Sequence, residues 1–153
     1  GHATKEEIAD YAQAILQMSK SPPPGVHVHG AISRPKLRAW QVKTKVMALP
    51  FDPVQFTEGF CTSIAESHAA GARVVARPDD AIEEVYGDSV RWIRSAIPDD
   101  DFRARFVDAV VAALTVEEWP EEGAAERSAA YYSWDHAARE LEKVIIETPN
   151  RRQ

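Results

Sequence analysis

Two carboxylates, Glu58 and Glu66, bracket the segment of this chain with the most capacity for chemistry. Between them runs Gly59-Phe60-Cys61-Thr62-Ser63-Ile64-Ala65, and Ser67-His68-Ala69-Ala70-Gly71 follows. A helix beginning near Phe60 leaves the amides of Phe60, Cys61 and Thr62 as donors at its positive end. That arrangement suits a diphosphate. Small residues around the loop, Gly59 among them, let a ligand approach the backbone closely. Glu58 would stand at the mouth of the loop, where a carboxylate can accept hydrogen bonds from sugar hydroxyls. Glu66 lies about two helical turns further on and on nearly the same side. It could take both hydroxyls of a ribose.

A loop of this kind must be held between a strand and a helix. Lys45 to Leu49 reads as a buried strand closed by Pro50, and Arg73 to Ala76 as a second. Val26 to His29 alternates and predicts a short strand stopping at Gly30. Ser89 to Ile93 predicts another. Helical patterns cover Ala3 to Lys20, the stretch capped by Ser33 with Leu37 and Trp40 inward, and residues 58 or 60 to Ala70 with Gly71 as C-cap. Further helices are expected over Ala81 to Tyr86, from Asp99–Asp101 through Leu114, and from Gly123 to Ile146. The last is expected to turn Ala130, Trp134, Ala137, Leu141 and Val144 inward. Strands alternating with helices predict an α/β fold: a Rossmann-like parallel sheet of about four strands, with helices on both faces. Ligands of such sheets bind beyond the carboxyl ends of the strands, which is where the glutamate loop falls.

The 153 residues suit one domain, with Gly1-His2 expected as a cleavage scar, residues 3–147 as the domain and 148–153 as a frayed tail. A net charge of −6 argues against a non-specific nucleic-acid binder but leaves room for a nucleotide held by backbone amides. The single cysteine, Cys61, excludes a disulfide framework and a thiolate-rich zinc site, and it reads as a buried, inert thiol. His27, His68 and His136 lack metal-ligand spacing, and Asp99-Asp100-Asp101 reads as a helix cap. No apolar run is long enough to span a bilayer and the N-terminus has no apolar leader segment, so a cytoplasmic location is expected.

At the glutamate loop the sequence resembles the retaining glycosyltransferases of family 4, which have the GT-B fold. Their hallmark is two glutamates separated by seven residues, followed by a small-residue helix end and a buried strand. Glu58, Glu66, Glu66-Ser67-His68-Ala69-Ala70-Gly71 and Val74-Val75 stand at those places. His29-Gly30-Ala31-Ile32 looks like the family's strand end beside the nucleotide base, and Leu49-Pro50 like the strand before the glutamate loop. Glu84 falls on the later family glutamate, and Tyr132-Ser133-Trp134 with Ala137 on the start of the last helix. The resemblance spans Glu6 to Val144. It implies part of a C-terminal nucleotide-sugar-binding domain. Glu66 would hold the donor's ribose. Glu58, the catalytic residue, would contact the donor sugar near the reacting carbon. The backbone at Gly59, Phe60, Cys61 and Thr62 would hold diphosphate and sugar, and Ile32 and His29 would lie at the base. The parent enzyme would transfer a hexose-type sugar to a sugar, lipid or other acceptor, with no metal and no cofactor beyond the nucleotide diphosphate sugar.

The sequence also departs from that pattern. The family often has Gly where Cys61 stands, Arg73 replaces a frequent Pro, and Asp80-Ala81 occupies a place often held by paired glycines. The family's diphosphate-binding Arg and Lys lie on a segment expected before the first helix here, preceded by an acceptor-binding domain. The piece alone is therefore expected to be inactive, and to dimerise or carry an abridged sheet. Two alternatives stay open: a non-catalytic binding module that kept the fold and lost the site, and a response-regulator-like domain, for which the acidic cluster and downstream Lys are not in order.

Overall fold

The computed structural model describes residues 5–51, 59–79, 81–94 and 101–147. In chain order these form α1 (Lys5–Lys20), α2 (Arg34–Gln41), β1 (Val46–Leu49), α3 (Thr62–Ala69), β2 (Arg73–Ala76) and α4 (Ile82–Tyr86). A 3₁₀ turn (Gly87–Ser89), β3 (Arg91–Trp92), α5 (Phe102–Thr115), α6 (Glu122–Tyr131) and α7 (Trp134–Glu147) complete them. The three strands pair in parallel in the order β1-β2-β3, with Leu49 opposite Ala76 and Ala76 opposite Trp92.

The central strand β2 explains the layering. Its side chains alternate, so Val74 and Ala76 enter one core with Ile64 of α3 and Ile82 and Tyr86 of α4. Val75 enters the other, against Phe106 and Ala113 of α5 and the buried Trp119. Helices therefore cover both faces, the arrangement expected of parallel strands buried on both sides. Ile64, Ile82, Val74 and Val75 are fully enclosed, each adding about 2 kcal/mol of apolar burial. Gly71, at φ +76°, turns the chain from the end of α3 into β2, as its place after the apolar run suggested.

Several expectations are corrected. Val26 to His29 is not a strand: Val26 donates back to Pro23 in a turn, and Val26 and Val28 are half-exposed with no neighbouring strand among the described residues. Among the described residues the sheet thus has three strands. Ser89 to Ile93 shortens to Arg91–Trp92 because the 3₁₀ turn takes Ser89, although Ile93 still donates to Ala76 at 2.9 Å. The long helix from Gly123 breaks at Tyr132-Ser133, where the Ser133 hydroxyl accepts from the His136 amide and starts α7 anew. The break changes which face points inward, so Trp134 is 91% exposed and Leu141 and Val144 also face out. Trp40 is about half-exposed rather than buried, and Ser33 caps α2 through its backbone carbonyl, not its hydroxyl.

Candidate functional site

β1 delivers the chain to the glutamate loop at the carboxyl edge of the sheet, beside β2, whose extension Arg77 donates its amide to Leu49 at 3.0 Å. Glu58, the proposed catalytic residue, lies outside the described residues. Gly59 and Phe60 are described and exposed, and a side chain at Gly59 would meet nothing within 4 Å, so the backbone there faces open space.

Cys61 makes the turn into α3. It is buried and adopts φ +50°, ψ 77°, the left-handed region that a side chain disfavours by about 1 kcal/mol. Its carbonyl is held twice, by the Ile64 amide at 2.9 Å and by the Tyr86 hydroxyl at 3.1 Å. The amides of Thr62 and Ser63 lie ahead of that first bond, at the positive end of α3. Phe60 leans on this pin, its ring 5.9 Å from Tyr86 and edge-on to Tyr132 at 5.1 Å. Sequence reading gave Tyr86 no role, because its link to Cys61 crosses 25 residues and is made only by the packing of α4 on α3.

Glu66 sits one turn into α3 with its side chain partly exposed toward α2. Each of its carboxylate oxygens already accepts one bond: Arg34 Nη1 reaches Oε1 at 2.9 Å and Gln41 Nε2 reaches Oε2 at 2.7 Å. A carboxylate has about four lone-pair sites, so capacity for further donors remains. Arg34 and Gln41 stand at opposite ends of α2, so Glu66 ties the whole helix to α3. Ile32, half-buried, leads into α2 two residues before Arg34, and His29 rests on Trp40 of α2 with ring centroids 4.7 Å apart. The structure thus gathers His29, Ile32 and Glu66 around α2, and Phe60, Cys61 and Thr62 around the start of α3. The partners Arg34 and Gln41 carry no sequence signal for this role. Glu84 is exposed on α4 and makes no part of this gathering.

His68, in the last turn of α3, is 5% exposed. Its Nδ1 lies 3.2 Å from Ser128 Oγ of α6, while Nε2 has no partner among the described residues. Burial lowers its pKa from the ordinary 6.5, and the nearby Ser89 backbone offsets part of that. Among the described residues no three His, Cys, Asp or Glu side chains converge as a metal-ligand set, and no helix is long and apolar enough to cross a membrane. No protein-family model, curated protein or solved structure matches the chain.

Proposed function

We propose that the chain is the donor-binding part of a retaining glycosyltransferase of the GT-B type, acting in the cytoplasm on a nucleotide diphosphate sugar. One observation carries this reading: Cys61 holds the left-handed backbone at the position where the resembled family often has Gly. A left-handed residue there aims the following amides of α3 at the loop, so a diphosphate would meet backbone donors and a helix dipole. Glu66, steadied by Arg34 and Gln41, would accept the ribose hydroxyls. Glu58 would face the donor sugar, and Ile32 and His29 the base. In the full GT-B arrangement the sheet would gain strands from a preceding segment, and an acceptor domain would close the cleft. The outward stripe of α7, with Leu141, Val144 and Ile145 each at least 60% exposed, suits a helix that packs on such a domain or on a second copy.

Titration of the chain with uridine- and guanosine-diphosphate hexoses, read by amide hydrogen exchange, tests the assignment. Protection over residues 61–66 and weaker binding by Glu66→Ala are expected. Donor affinity unchanged in Glu66→Ala removes the role of that residue.

The occupied state of Glu66 favours a second reading, a non-catalytic module. If Arg34 and Gln41 are its lasting partners, the carboxylate is a tie between helices and no nucleotide-sugar protects the loop.

A further inference from the structure

An open cleft of about 590 Å³ lies between the α4 corner and α6, within the roughly 300–1,000 Å³ range of small-molecule sites. The 3₁₀ turn on its wall leads into the amino end of β3, and Tyr86 and Tyr132, on which Phe60 of the glutamate loop packs, also line it. It therefore adjoins the start of α3, while its charged walls, Glu84, Asp88 and Arg127, take no part in the donor site proposed above.

Its walls carry opposite charges. Glu84 and Asp88 line one side, and Arg127, Ser128 and Tyr131 of α6 line the other. Arg127 Nη2 stands 4.0 Å from Asp88 Oδ2, beyond hydrogen-bond reach, and both side chains are highly exposed. Such a pair is worth little, so both groups keep their bonding capacity for a ligand. Tyr131 is 59% exposed, yet its ring is braced by the edge of Tyr132 at 5.0 Å and by His136 at 4.6 Å. A fixed aromatic face loses little side-chain freedom when a ligand settles on it. Behind the wall the buried His68 bonds Ser128 through Nδ1. Whichever partner donates, the Ser128 hydroxyl keeps one bonding function in reserve.

The charge pattern selects the ligand class. Two carboxylates against one guanidinium repel an anion. A purely apolar molecule would cover three charges and give them no partner, which is costly. A neutral polyhydroxylated ring offers donors to Glu84 and Asp88, acceptors to Arg127, and a C–H face to Tyr131. We propose that this cleft binds a neutral saccharide unit.

Amide chemical-shift titration of the full chain with methyl hexopyranosides and with maltose tests the proposal. Saturable shifts confined to residues 84–89 and 124–132 are expected for at least one probe. Tyr131→Ala and Arg127→Ala, both at exposed positions, should each weaken that binding about tenfold with melting unchanged. No saturable shift with any neutral probe overturns the site. Tighter binding of the matching uronate or sugar phosphate overturns the ligand class. Shifts that neither variant weakens place the ligand elsewhere and overturn the assignment.

Discussion

The Tyr86 hydroxyl donates to the carbonyl of Cys61 at 3.1 Å, and so α4 pins the one described non-glycine residue that the chain bends into the left-handed region. The strain and the pin belong together: a disfavoured backbone persists where neighbours over-determine it. Tyr86→Phe should cost about 1 kcal/mol, because the Ile64 amide still satisfies the carbonyl. Cys61→Gly relieves about 1 kcal/mol of strain and loses a similar amount of thiol burial, leaving stability nearly unchanged. Cys61→Val adds a β-branch at a crowded left-handed position and should cost about 2 kcal/mol or more. Urea melts of the three variants check the order; a Val variant as stable as the Gly variant contradicts it.

Glu66 makes a different kind of contact. The Arg34 side chain is 78% exposed, so its bond to Glu66 is screened by water and adds less than about 1 kcal/mol to stability. Arg34→Ala should leave the melting midpoint almost unmoved. Gln41 is half-buried, and Gln41→Ala should cost about 1 kcal/mol. Comparing both in 0.05 M and 0.5 M salt separates the two: only the Arg34 effect should shrink with salt.

How far these contacts were legible in the chain depends on their range. The runs Val46–Leu49 and Arg73–Ala76 announce strands because they are apolar, short and bounded by Pro50 and Gly71. Val26 to His29 shows the limit of that signal. Alternation describes an extended segment but cannot supply the neighbouring strand, and here the two histidines stack and His29 meets Trp40 instead. The break before α7 leaves no Gly or Pro behind; its trace is Ser133 as a cap with Asp135 in the first turn, inside a composition that is helical throughout. Glu66 was expected to hold a ribose, and the structure gives its carboxylate to Arg34 and Gln41, 32 and 25 residues away, partners that no local pattern announces.

His68 gives the fold a defined acid sensitivity. Burial holds its pKa below 6.5 in the folded chain, while the unfolded chain protonates near that value. As pH falls below about 6.5, the unfolded state binds more protons than the folded one, and stability drops. Above that value both states are neutral at this site and the contribution is flat. Denaturation midpoints at pH 7.5 and pH 5 should differ, and His68→Gln should reduce the difference. An equal pH slope in that variant would assign the sensitivity to other groups.

On the opposite face of the sheet, Trp119 meets two guanidinium groups. Arg73 and Arg91 approach its ring at 5.5 Å and 4.8 Å, and the indole is 5% exposed. Arg73 also donates to the carbonyls of Ala113, Val116 and Glu117, closing the end of α5, and Arg91 grips Glu121 with two bonds. Removing the ring therefore leaves a cavity and strips both guanidinium groups of a stacking partner. Trp119→Ala should cost about 3–5 kcal/mol, and Trp119→Phe markedly less, because a smaller aromatic face remains. Arg73→Ala should cost about 1 kcal/mol, because of its three acceptors only the Ala113 carbonyl of α5 is part-buried and those of Val116 and Glu117 can turn to water. Thermal melts followed by far-ultraviolet circular dichroism decide the matter. A Trp119→Ala variant within 1 kcal/mol of the parent chain would mean that the α5 face is held by Val75 and Phe106 alone.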